Sequence, residues 1–380
     1  MRRWYLIVAA VLVVTGAVPV SAANGDFECD GLVATIIGTE GDDKLTGTDE
    51  GDVIVGLGGD DVILAGAGRD VVCGGAGDDE IVGQAGNDRL FGGDGADLLI
   101  GKQGKDRLVG GAGNDQLEGG SGHDWLKGEE GDDSLRGGAD NDHLAGGLGD
   151  DIGYGGDGYD DLRSISGSDL LYGGLGNDRL TLRAGSGTRD SVAYGGPGND
   201  WLELLDVEAF EQCAPERVTV RMFGHGGRDK YHVGSAFEER SCFSFILKGG
   251  AGHRDVLKRN WLVSQRLVVD LEQGIAKVKG WEWEERLRLS GIEDVIGSGL
   301  RDRLVGDQHA NMLVGGGGND QLLGRGGSDT LLGVTGFDQI YGGKGDDSLD
   351  GGDGTDQLNG GDGTDTCVNG ESYVSCELPL

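Results

Sequence analysis

Gly74-Gly75-Ala76-Gly77-Asp78-Asp79-Glu80-Ile81-Val82 is the stretch on which the fold turns. Stepping by nine back to Gly38 and forward to Thr181 keeps the same register through sixteen consecutive repeats. The sixth residue of every one is aspartate: Asp43, Asp52, Asp61, Asp70, Asp79, Asp88, Asp97, Asp106, Asp115, Asp124, Asp133, Asp142, Asp151, Asp160, Asp169 and Asp178. The first is glycine except at Ala65 and Ser164, and the fourth is glycine except at Glu50 and Asp140. The eighth is Leu, Ile or Val except at Gly153. A second array of eight repeats starts at Gly297, with Asp302, Asn311, Asp320, Asp329, Asp338, Asp347, Asp356 and Asp365 at its sixth positions. Low-complexity disorder does not hold register in this way, so the repeat is structural.

Composition narrows the function. Of 380 residues 80 are glycine, about three times the usual ~7%, and without a three-residue period that excludes collagen. Acids outnumber bases 67 to 32, a net charge of −35. That balance excludes nucleic acid and anionic membrane as partners, since both need a basic footprint.

These repeats resemble the hemolysin-type calcium-binding repeat, also called RTX. The resemblance covers the two arrays and implies an all-β fold, a right-handed parallel β-roll or β-helix solenoid with calcium in the turns. Two nonapeptides make one coil, so aspartates eighteen apart line one edge and the intervening ones the opposite edge. By the same resemblance each ion sits between adjacent turns of one edge, giving roughly twenty sites.

The residue types suit that chemistry. Glycines at the first, second and fourth positions admit positive φ and close backbone approach. Calcium takes six to eight oxygens at ~2.3–2.6 Å, and carboxylates with backbone carbonyls supply them. The last three residues read as a short strand that sends the eighth side chain into a thin core. The competing reading of each aspartate is an Asx-type cap on backbone N–H groups, binding nothing. Stacked carboxylates at ~4.8 Å spacing repel, which favours cations between them. Roughly twenty divalent ions would also offset the net charge of −35.

Outside the arrays the chain divides as follows. Residues 1–22 read as a signal peptide: Arg2 and Arg3, the apolar run Leu6 to Val14, then Val20-Ser21-Ala22. No other stretch is apolar and long enough to span a bilayer. Residues 23–37 read as an entry strand or cap, 38–203 as the first array, 297–370 as the second and 371–380 as a tail. Asp190 and Asp200 are expected to continue the metal-ligating set after short insertions. Six cysteines fit an oxidising compartment. Fifteen connectivities are open; proximity favours Cys29–Cys73, Cys213–Cys242 and Cys367–Cys376.

The segment 204–296 holds 15 acids and 14 bases, with Trp261, Trp281 and Trp283. It reads as a wider, decayed stretch of the solenoid, with a separate inserted domain as the alternative. Calcium-like turns persist in it at Gly224–Asp229 and, with one extra residue, at Gly249–Asp255. Its tryptophans and mixed charge make it the expected place for a cell-envelope or polysaccharide partner, though core packing would also account for the tryptophans. No H-E-x-x-H, G-x-S-x-G or P-loop occurs. The function expected is a secreted, extracellular calcium-binding protein of structural or adhesive role. The alternative enzyme class is a polyuronate lyase or epimerase on a β-helix. A toxin or effector is disfavoured, because no separate catalytic or pore-forming region is left over.

Overall fold

The computed structural model describes residues 27–183, 190–205, 218–233, 243–249, 255–259, 266–279 and 284–376. Residues 1–22, Cys213, Cys242, Trp261, Trp281 and Trp283 lie outside these ranges. The described residues form thirty-eight β-strands and no helix, so none contains a helix able to cross a membrane.

The period of nine becomes a coil of eighteen. Leu99 pairs in parallel with Ile81 on one side and Leu117 on the other, while Leu108 pairs with Leu90 and Leu126 in a second sheet. Odd and even repeats thus build two facing parallel sheets, and the chain passes from one to the other at every turn. Parallel sheets need both faces covered or a polar outer face. Here the inner faces cover each other.

The eighth positions meet between the sheets. Ile54, Ile63, Val72, Ile81, Leu90, Leu99 and Leu108 are fully buried in one continuous cluster that runs through both arrays. Gly153 breaks this row, and a Cβ there would lie 3.2 Å from Leu171 Cδ2 and 3.5 Å from Leu162 Cδ2, so its neighbours fill the gap.

The strands are longer than the three residues expected. Arg107–Ala112 and Ser134–Ala139 each run six residues, crossing from the seventh position of one repeat to the third of the next. Glycines at the first and second positions therefore belong to the strand, and only the fourth to sixth residues turn. The strands shorten to three residues at Asp161–Arg163, just before Ser164 replaces the first-position glycine.

Both sheets continue past the first array. Asp190–Pro197, Val218–Gly226 and Phe243–Lys248 extend one sheet in parallel. Trp201–Leu205, Lys230–Val233, Val256–Arg259 and Asp294–Ile296 extend the other, which reaches the second array at Met312–Gly317. One sheet takes in an antiparallel hairpin, Arg266–Asp270 with Ile275–Lys279, between Glu284–Ser290 and Arg303–Val305. On the outer face Tyr154, Tyr172, Tyr194 and Phe223 stack at 4.9 Å between ring centroids.

Disulfides close both ends. Cys29 joins Cys73 and ties the antiparallel hairpin Glu28–Cys29/Leu32–Val33 to the first sheet layers. Cys367 joins Cys376 across the last coil. Both pairs are those expected from proximity.

Second positions hold positive φ even without glycine: Leu57 at 87°, Lys102 at 83°, Glu129 at 90° and Val334 at 84°. For a β-branched residue that is a strained conformation. Val334 is also exposed, so its side chain has little packing to set against the strain. Val334→Gly is expected to stabilise the folded chain by up to about 1 kcal/mol, read as a higher denaturant midpoint in calcium; an unchanged or lower midpoint would show that the strain is not real.

Candidate metal centres

Each turn closes its backbone hydrogen bonds with carboxylates from neighbouring coils. The sixth-position N–H donates to Oδ1 of the aspartate eighteen residues later: Asp79 to Asp97 at 2.9 Å, Asp97 to Asp115 at 2.9 Å, Asp115 to Asp133 at 2.8 Å. The opposite edge repeats this from Asp52 to Asp70 through Asp160 to Asp178. The second array does the same from Asp302 to Asp320 through Asp347 to Asp365. The aspartates do cap main-chain N–H groups, and through Oδ1 these caps run between coils.

Fifth positions form a second ladder of opposite sense that the repeat pattern alone did not single out. Asp78 N–H donates back to Asp60 Oδ1 at 2.9 Å, and Asp132 N–H to Asn114 Oδ1 at 2.9 Å. These residues are exposed, whereas the sixth-position aspartates other than Asp43 are almost wholly buried.

The second carboxylate oxygen is the unresolved one. Oδ2 of Asp61, Asp70, Asp79, Asp88, Asp97, Asp106, Asp115, Asp124, Asp133, Asp142, Asp151, Asp160 and Asp178 is buried with no donor; so is Oδ2 of Asp200, Asp229, Asp320, Asp338, Asp347 and Asp356. It occupies the notch left by the missing Cβ of the first-position glycine. A Cβ on Gly74 would lie 2.1 Å from Asp79 Oδ2 and 2.9 Å from the Gly92 carbonyl oxygen; on Gly128, 2.0 Å from Asp133 Oδ2 and 2.6 Å from the Gly146 carbonyl. Two acceptors, one charged, thus face the same small space. A buried acceptor without a donor costs about 1–3 kcal/mol, more when charged. Each notch is therefore suited to a cation, and an oxygen-only donor set suits a hard one. Among the described residues no three His, Cys, Asp or Glu side chains converge on one point.

The start of each array is different. Asp43 Oδ2 accepts from Thr39 N–H at 2.6 Å and its hydroxyl at 2.9 Å. Asp52 Oδ2 accepts from Thr48 in the same way, at 2.7 and 2.9 Å. Asp302 Oδ2 accepts from both the N–H and the hydroxyl of Ser298. Thr39, Thr48 and Ser298 occupy second positions, and their hydroxyls supply the donor that the others lack.

In the lengthened coils the ladder moves from Asp178 to Asp200 at 2.8 Å, then to Asp229 at 2.9 Å and Asp255 at 2.8 Å. Asp229 and Asp255 belong to the calcium-like turns of the middle segment, so these two join the row. Asp190 does not. It is exposed at the start of its strand, and Ser191, fully buried, takes the ladder position and accepts the Asp169 N–H through its hydroxyl at 3.2 Å. A four-residue insertion lengthens the step to twenty-two residues and sets Ser191, nine residues before Asp200, in the row. Glu293 and Glu371 end two runs by accepting the N–H of Asp255 and Asp356; neither was marked by the period.

The profile of the RTX calcium-binding nonapeptide repeat (4 copies) matches residues 37–72, 66–99, 73–108, 91–126, 100–135, 127–162, 166–188, 296–331 and 332–367. Those matches cover more than half of the chain. The chain belongs to this family. No curated protein matches it closely enough to add a nearer relative. RTX repeats bind calcium, so this is a calcium-binding repeat protein.

Burial dominates the electrostatics of the RTX ladder without metal. It raises Asp79, Asp97 and Asp151 to about 7 and Asp133, Asp142 and Asp320 to about 8, against the lowering effect of the N–H each accepts. The folded form then holds protons that the unfolded chain, with aspartates near ~3.9, gives up. Apo stability therefore falls as pH rises through about 6–8 and is greatest below about 4. In calcium-free buffer the β signal in circular dichroism is expected to grow as pH falls from 8 to 5. A signal independent of pH would contradict the buried ladder.

Asp115→Asn is expected to lower the calcium bound per chain by about one or two ions, counted by equilibrium dialysis. Asp43→Asn, whose Oδ2 is already satisfied, should leave the count unchanged. Equal losses in both variants would remove the distinction between capped and open turns.

Proposed function

We propose that the chain is a secreted protein whose RTX arrays fold on binding extracellular calcium and serve a structural or adhesive role. The observation that carries this is the donorless Oδ2 facing a main-chain carbonyl in turn after turn. Asp61, Asp70, Asp79 and their equivalents would hold the ions together with first-position carbonyls such as that of Gly92. Calcium supplies the positive charge that lets these acceptors stay buried and ionised. With one aliphatic side chain per nine residues in the core, that charge becomes part of folding itself, adding stability through each occupied site.

Two disulfides support an oxidising destination, and the apolar leader of residues 1–22 supports export. Extracellular modules work at ~10⁻⁴–10⁻³ M calcium, so the chain would remain unfolded until outside. Partner recognition, to polysaccharide or cell envelope, is assigned to the neighbourhood of the middle segment, because the fifth- and sixth-position rows of the arrays are occupied by their own ladders.

Circular dichroism at pH 7.5 provides the test. The chain should be largely coil in chelator and β at millimolar calcium, with magnesium a weak substitute because it demands near-octahedral sites. A full β spectrum in excess chelator would overturn calcium-driven folding.

A further inference from the structure

We propose that the outer face of the strands Arg179–Arg183, Trp201–Leu205 and Lys230–Val233 binds a carboxylate monoanion, free or carried on a saccharide. The inference deepens the partner role assigned above and rests on it for the choice of probe, whereas calcium-driven folding stands independently.

The three strands are consecutive in one sheet. Register places Arg179, Trp201 and Lys230 in one row and Thr181, Glu203 and His232 in the next. The residues between the rows, Leu180, Leu202 and Tyr231, are fully buried in the core, so both rows point outward, about 4.8 Å apart from strand to strand.

This grid contains donors without acceptors. Arg179 Nε, Thr181 Oγ1 and Trp201 Nε1 are buried and make no hydrogen bond. Thr181 is only 4% exposed although it lies on the outer face. Arg179 uses Nη2 on Glu203 Oε2 at 2.8 Å, which leaves its Nε–H for something else. His232 Nδ1 lies 3.7 Å from Glu203 Oε1, and Lys230 Nζ lies 5.7 Å from the Trp201 ring centroid. Unmet buried donors are rare and call for an acceptor. In the metal ladder the unmet atoms are acceptors and call for a cation. Here the chemistry is inverted.

Charge selects the class. Arg179 and Glu203 offset each other, while Lys230 and Arg183 leave the face positive. A planar carboxylate matches the guanidinium edge. The Arg179 side chain is 41% exposed and Lys230 is exposed, so the rim of the grid faces solvent above the buried donors.

The coil lengths give an independent pointer. Ladder steps of eighteen residues become twenty-two, twenty-nine and twenty-six from Asp178 to Asp255. The extra residues follow these same three strands. A rigid scaffold that takes its insertions at one place is the usual arrangement for recognition.

The experiment is calorimetric titration of the calcium-loaded full chain with sodium glucuronate, acetate and phosphate, for the wild type, Thr181→Val, Thr181→Ser and Trp201→Phe. Glucuronate should bind saturably, acetate more weakly and phosphate least. Thr181→Val and Trp201→Phe should each weaken glucuronate about tenfold, while Thr181→Ser retains it. Circular dichroism in calcium verifies that each variant is folded. Failure of the wild type to bind glucuronate, equal or tighter binding of phosphate, or unchanged affinity in both Thr181→Val and Trp201→Phe would overturn the proposal. Each of these results leaves calcium-driven folding intact; a chain that folds in chelator overturns that reading instead and leaves the titration interpretable.

Discussion

A buried carboxylate oxygen that meets a carbonyl oxygen instead of a donor is the constraint on which the solenoid depends. The first-position glycine creates the notch, the sixth-position aspartate fills it from one coil, and the next coil brings its carbonyl to the same place. The other carboxylate oxygen is fully engaged by a main-chain N–H. This geometry cannot be relaxed locally, because moving one aspartate would break the N–H bond that joins its coil to the one before. The arrangement thus converts a shortage of donors into a requirement for cations, repeated along both edges.

The period of nine made much of this legible. Aspartate, glycine and aliphatic residues hold separate places in the repeat, and the eighteen-residue pairing, the core row and the buried edge rows follow from it. Strand length was not legible, since glycine has low strand preference and only coil-to-coil pairing draws the first and second positions into the sheet. Thr39, Thr48 and Ser298 are not marked by the repeat; their role depends on a hydroxyl reaching an aspartate four residues on. Asp190 stands beside the row: the period of nine counted back from Asp200 reaches Ser191, and the bond from Asp169 N–H agrees.

The middle of the chain shows what the scaffold allows. Pairing of the two sheets persists through coils of twenty-two to twenty-nine residues, because each strand needs only its neighbours for hydrogen bonds, as in other stacked repeats. Coil length can then vary without loss of the ladder. The arrays spend their polar groups on one another and on ions, whereas the grid around Thr181 and Trp201 leaves donors over. Unmet acceptors run through regular and lengthened coils alike, as at Asp79 and Asp229, whereas unmet donors gather around Arg179, Thr181 and Trp201.

The central claim is most directly tested by diffraction from calcium-loaded crystals, with anomalous differences collected to enhance calcium. The account predicts peaks inside the turns of both edges, each in contact with an Oδ2 such as that of Asp79 or Asp133 and with the first-position carbonyl of the next coil. Turns closed by Thr39, Thr48 and Ser298 should show none on their capped oxygen. Peaks confined to the exposed fifth-position carboxylates, with the sixth-position oxygens free of metal, would contradict it.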